Sequence, residues 1–301
     1  MDAKTMKELI HFQRSELTDH HLYLKLAKRE KDEHNKKVLE EIAKDENIHY
    51  QFWKKVTGKE VKPYKFQLWF YYFVSVIFGI TFGIRLMEKG EEKTQGNYQK
   101  YIGKIENIEK LIEDEEKHED ALIDSLNEER LNYIGSIVLG LNDALVELTG
   151  TLAGLTFALA NSKIVAFSGL ITGIAAALSM ASSEYLSTKQ EGYHGKALKS
   201  ALYTGIAYII TVGFLILPFL LVPANTTYNI FGLNIPSIYL ALLITIGVVV
   251  LIIFGFTYYI SVAKNLSFKK KFWEMVAISL GVAVLSFAVG ILVKTVFNID
   301  V

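Results

Sequence analysis

Five apolar stretches fill the chain from Asn132 onward, at roughly 133–160, 164–187, 198–222, 237–263 and 272–297. Each is long enough to cross a bilayer, which takes about 20 helical residues. A backbone in lipid has to satisfy its own hydrogen bonds, and the period-2 alternation of barrel strands is absent, so the stretches predict five membrane helices. Charge divides the same way. Of 32 Lys/Arg and 32 Asp/Glu, residues 1–130 hold 23 and 26, and residues 131–301 only 9 and 6. A chain of 301 residues has room for both a water-exposed domain, 1–130, and a membrane domain, 131–301. The formal net charge of zero points to no nucleic-acid partner.

The loops predict an orientation. Lys189, Lys196 and Lys199 lie between the second and third stretches, and Lys264, Lys269, Lys270 and Lys271 between the fourth and fifth. The segment Pro223 to Pro236 carries no charge, and lone Lys163 in the short outer turn runs against the trend. Positive loops stay in the cytosol, so the N-terminal domain is expected there and the C-terminus outside, in the plasma membrane if the cell is prokaryotic. The segment Met1 to Glu8 has no apolar core, so no cleaved signal peptide is expected. A sixth stretch, Phe66 to Ile84, is free of charge over 19 residues but crowded with aromatics (Trp69, Phe70, Tyr71, Tyr72, Phe73). Such residues prefer interfaces and packed cores to the bilayer centre. The stretch is therefore read as a buried bundle helix, in a dimer core or touching the membrane surface, and not as a sixth span.

Before the first span, residues 5–31, 35–57, 66–94 and 97–128 carry apolar positions at helix spacing. Four long helices in a small domain predict a four-helix bundle, and the whole chain is expected to be all-α. Cysteine is absent, which excludes disulfides, thiolate zinc sites and iron–sulfur ligation. Any metal must sit on carboxylate, imidazole or thioether groups, which suits iron and manganese. The second helix contains Glu46-x-x-His49 and the fourth Glu115-x-x-His118. Residues three apart share a helix face, so each pair can aim a carboxylate and an imidazole at the bundle axis. The first helix offers Glu16, with Tyr23 on the same face, and the third offers Glu88 and Glu91. One Glu from each of two helices plus Glu-x-x-His from the other two is the ligand set of di-iron and di-manganese carboxylate bundles. A single Glu-x-x-His in a charged helix is usually solvated surface, and Glu116 or Glu119 can equally face water. Two such pairs on alternate helices, with acids on the other two, are far harder to reach by chance.

These phrases (Glu16-Leu17 with Tyr23-x-x-Leu26-Ala27, Asp45-Glu46-x-x-His49, Glu88-x-x-Glu91 and Glu115-x-x-His118) make residues 8–126 resemble a ferritin-like domain of the rubrerythrin type. The resemblance implies two iron ions (or manganese) held by Glu16, Glu46, His49, Glu88, Glu91, Glu115 and His118. It also implies that the paired acids Glu88 and Glu91 let one iron shift its ligands. Rubrerythrins typically carry a cysteine-ligated electron-delivery segment, which a chain without cysteine lacks, so the resemblance alone does not imply the family's peroxidase activity.

Acids also stand inside the membrane stretches, where each costs a few kcal/mol and marks a functional hypothesis. Asp143 lies ten residues past Tyr133 and Met180 nine before Lys189. At 1.5 Å per residue both lie roughly 15 Å from the cytosolic face, with Glu147 a turn deeper and Glu184 a turn shallower. A carboxylate with a thioether tolerates Fe²⁺ or Mn²⁺. The bland alternative for Asp143 is a structural acid bonded to Asn142 or a nearby serine. Gly169, Gly173, Ala177 and Ala181 form a small-residue stripe that reads as helix packing.

The phrases Gly140-Leu141-Asn142-Asp143-Ala144-Leu145-Val146 and Ser179-Met180-Ala181-Ser182-Ser183-Glu184-Tyr185-Leu186-Ser187 make residues 131–298 resemble the vacuolar iron transporter family. The resemblance implies a homodimer that carries Fe²⁺ or Mn²⁺ out of the cytosol in exchange for protons, with Asp143 and Met180 as transport residues. Ser183 replaces a usual Gly, and the cytosolic metal-binding insert after the second span is missing; the N-terminal bundle can stand in for it. The combined expectation is a metal exporter whose bundle captures or senses the ion. The rival expectation is a membrane-anchored di-iron ferroxidase or peroxide scavenger, with the spans as an anchor. A third is a bundle site that gates transport without turnover.

Overall fold

The computed structural model describes residues 2–95, 98–113, 123, 125–159, 161–224, 226–230 and 232–297, and these form two compact units. Unit one comprises Met1–Arg130 with Val262–Asn265, and unit two the remainder from Leu131. Among the described residues the chain is all-α apart from one short hairpin.

In the first unit α1 (Ala3–Arg29) starts where the Asp2 carboxylate accepts a hydrogen bond from the Thr5 amide, 2.6 Å, and ends in the basic turn Lys28–Arg29. Both features complement the helix dipole. The second helix, α2 (Glu33–Thr57), is capped by Asp32 and stops at Gly58, whose φ of 63° is the left-handed conformation glycine adopts freely. The two helices run antiparallel: Phe12 packs on Trp53, and the Thr57 hydroxyl donates to Gln13. Their shared core forms two apolar layers. One contains Leu22, Leu26, Leu39, Ile42, Ala43, Ile84 and Met87. The other contains Leu9, Phe12, Trp53, Tyr98, Tyr101, Ile105 and Ile108.

The single helix expected over 66–94 is two helices, α3 (Lys65–Phe78) and α4 (Ile80–Gln95). They fold back on each other at Gly79, where φ is 112°. A side chain there would be strained and would also run into the Glu128 carboxylate, which accepts the Thr81 amide at 3.1 Å. Gly83 lies against Ser75 so closely that a Cβ would collide with it, and Gly90 approaches the Tyr71 hydroxyl. The close approach of two helices, made possible by these glycines, turns the apolar run into a helical hairpin. The buried residues Ile84 and Met87 of the core come from α4, while α3 leans on α1 and α4, with Ser75 buried and Tyr71 and Tyr72 half-buried against the core. The helix expected from residue 97 also begins differently. Tyr98–Tyr101 is a 3₁₀ turn, the chain turns again through Asn107 (φ 63°), and residues 108–113 are helical.

Among the described residues the second unit holds five helices long and apolar enough to cross a membrane, in number as the sequence predicts, and the chain is an integral membrane protein. They are α5 (Ile134–Leu159), α6 (Ser162–Gln190), α7 (His194–Leu221), α8 (Ser237–Ala263) and α9 (Phe268–Phe297), preceded by the single turn Glu129–Asn132. A two-stranded antiparallel hairpin, β1 (Thr227–Ile230) and β2 (Leu233–Pro236), joins α7 to α8. Small residues set the packing. Gly140 of α5 lies on the Thr204 backbone of α7, Gly169 and Gly173 of α6 lie against Leu152 and Val212, and Gly205 of α7 lies so near Ala181 that an added Cβ would come within 3.2 Å of its methyl. In lipid such close contact supplies the dispersion energy that holds helices together.

Candidate metal centre and membrane acids

Between the two apolar layers of the first unit, α1 and α2 place three polar groups. Glu16 follows Phe12 by one turn, and Glu46 and His49 lie on α2 between Ala43 and Trp53. All three are buried, with 4, 6 and 9% exposure. One ligand atom from each lies within 4.8 Å of the others. Two donors each about 2.0–2.2 Å from one ion are at most roughly 4.4 Å apart, so a small side-chain adjustment suffices to close on a cation. The donor set is oxygen and nitrogen only, as iron or manganese accepts.

The surroundings favour one charged carboxylate. Glu16 Oε1 accepts two hydrogen bonds, from the Tyr98 hydroxyl at 2.8 Å and the Trp53 indole at 3.2 Å. Its other oxygen faces His49, whose Nδ1 is 3.7 Å away. Burial works against a charge on Glu16, but His49 and hydrogen bonds from Glu46 and Tyr98 hold its carboxyl below the usual glutamate range. A bond between two carboxylates needs a shared proton, so a cation that displaces the proton relieves the pair.

The remaining expected ligands are distributed as follows. Glu88 is half-buried on α4 and is not a member of the cluster formed by Glu16, Glu46 and His49 among the described residues. The side chain of Glu91, and Glu115 and His118 altogether, lie outside the described residues. Trp53 and Tyr98 were not singled out from the sequence. Glu16 and Tyr98 are 82 residues apart, and only the fold makes an aromatic donor a neighbour of a carboxylate.

In the second unit Asp143 is half-buried on α5, and Glu147 one turn on is exposed yet accepts a hydrogen bond from the Tyr208 hydroxyl of α7 at 3.0 Å. Glu184 of α6 accepts from the Ser136 hydroxyl at 2.8 Å, and the Ser136 carbonyl in turn accepts from Thr204. Met180 is half-buried and packs against the apolar cluster that includes Ala144, Leu145 and Ala177. Beside Asp143 the buried Asn142 Oδ1 has no hydrogen-bond partner. Tyr208, Ser136 and Thr204 complete the polar network, and single polar residues in apolar helices gave no separate signal in the sequence.

The sequence model of the VIT family matches residues 134–197, which comprise α5, α6 and the start of α7. No curated protein and no solved structure matches the chain.

Proposed function

We propose that the chain is a divalent metal transporter that exports Fe²⁺ or Mn²⁺ from the cytosol, with a resident metal site in its N-terminal bundle. The observation that carries this reading is the position of Asp143, Glu147, Met180 and Glu184, all within the two helices that the VIT family model matches. A membrane anchor needs no carboxylates in its spans, and each one there has an energetic cost. Asp143 and Met180 are the residues assigned to bind the ion in transit. Glu147 and Glu184, each held by a hydroxyl donor, are assigned to take up or release protons in exchange.

In the bundle, Glu16, Glu46 and His49 are the residues that would hold a metal ion, with Glu88, Glu91, Glu115 and His118 assigned to a second. Such an ion supplies a Lewis-acidic, redox-active centre when bound. The protein's part is to exclude water with the two apolar layers and to orient Glu16 through Tyr98 and Trp53. The buried cluster also supports the rival reading, a membrane-anchored ferroxidase.

Fe²⁺ flux in proteoliposomes separates the two. Asp143→Ala is expected to lower flux at least tenfold (about 1.4 kcal/mol of transition-state stabilisation). Glu46→Ala is expected to change only the dependence of flux on iron concentration. Flux that is absent from the wild type, or unchanged by Asp143→Ala, would make the spans an anchor and leave the bundle as the site of chemistry.

A further inference from the structure

We propose that α3 is an interfacial helix, which lays its aromatic face on the surface of an anionic lipid bilayer. The face is built at helix spacing from Phe66, Trp69, Phe70, Phe73 and Ile77, which follow the i, i+3, i+4, i+7, i+11 pattern of one stripe. These residues are exposed, Phe66 by 85% and Ile77 by 61%. The opposite side packs, with Ser75 buried against Gly83 and Tyr71 and Tyr72 against the bundle core. An apolar stripe of this size on a polar domain marks a contact site.

Three observations select lipid as the occupant. The first is composition: Trp, Tyr and Phe dominate the helix, and these side chains partition to the headgroup boundary. The second is charge. Between Lys65 and Phe78 there is no acid, exposed Lys62 and Lys65 stand at the N-terminal end of the helix, and Lys25 Nζ sits 4.0 Å over the Trp69 ring. A basic rim around an apolar face complements anionic headgroups. The third is chain length. Glu128 bonds to Thr81 just beyond the end of α3, and only residues 129–133 separate it from Ile134, where the first span begins. That short stretch makes the unit holding α3 the immediate neighbour, along the chain, of the first membrane helix. With 14 residues α3 is about 21 Å long, too short to cross a hydrocarbon core of about 30 Å, so it lies along the surface.

The chain has no cysteine, so single-cysteine nitroxide labels report on α3 without background. The full-length protein is reconstituted in vesicles of phosphatidylcholine with a minority of phosphatidylglycerol. Labels are placed by Phe70→Cys, Phe73→Cys and Ile77→Cys, with Leu68→Cys as the inward control. Helix content of each variant is checked by circular dichroism. The expected result is collision with oxygen several-fold more frequent than with a water-soluble nickel complex at positions 70, 73 and 77, and little collision with either at 68. Lys62→Glu combined with Lys65→Glu should lower the oxygen-to-nickel ratio. Dominant collision with the nickel complex would place the face in water and overturn the proposal. Dipolar broadening between labels would overturn it in favour of a second copy of the chain. An unchanged ratio in the Lys62→Glu, Lys65→Glu protein would overturn the role of anionic lipid.

Discussion

At the scale of single residues, the bundle site is set by which atoms already have partners. Glu16 Oε1 is occupied by Tyr98 and Trp53, so the oxygen left for a cation is Oε2, on the side of His49. Donors of this kind fix a ligand's orientation, and their loss commonly costs 10- to 100-fold in metal affinity. Tyr98→Phe removes the shorter bond and keeps the ring. We expect Mn²⁺ affinity of the full-length protein, measured by titration calorimetry, to fall about tenfold with helix content unchanged. An unaltered affinity would leave Tyr98 a packing residue only. The sequence made Glu16, Glu46 and His49 candidates through helix spacing. It did not reveal the aromatic donors, because hydrogen bonding across 37 and 82 residues has no local signature.

At the scale of helices, glycine decides where local preference does not. The stretch from Phe66 to Ile84 reads as continuous helix because nothing in its composition breaks one, and glycine within an apolar helix is tolerated at about 1 kcal/mol. The break at Gly79 arises from its neighbours: the Glu128 carboxylate occupies the space a side chain would need, and Ser75 meets Gly83 across the hairpin. Gly79→Ala places a Cβ in that space at a φ of 112°. The expected loss is about 1–3 kcal/mol, read as a lower midpoint in thermal denaturation of the detergent-solubilised chain. A midpoint equal to wild type would mean that the turn relaxes freely. The second unit follows the same rule, since Gly140 permits α5 to approach the Thr204 backbone.

At the scale of the whole molecule, five apolar helices and their loop charges make a topology testable. Single cysteines introduced by Asn229→Cys in the β1–β2 hairpin and by Lys196→Cys or Lys270→Cys in the basic loops should differ in access to a membrane-impermeant maleimide. In intact cells Asn229→Cys is expected to label and the other two are not; the reverse pattern would invert the orientation and turn the proposed exporter into an importer. The all-α class and the number of spans were legible in the sequence because each follows from the length and periodicity of apolar runs, quantities that survive without knowledge of neighbours. The tertiary structure alone decided that Phe66 to Ile84 folds into a hairpin, that α3 keeps its aromatic face uncovered, and that Tyr208 and Ser136 hold Glu147 and Glu184. The physical reason is the same in each case: the outcome depends on a steric or hydrogen-bonding partner far away in the chain, and the residues themselves carry no record of which partner arrives.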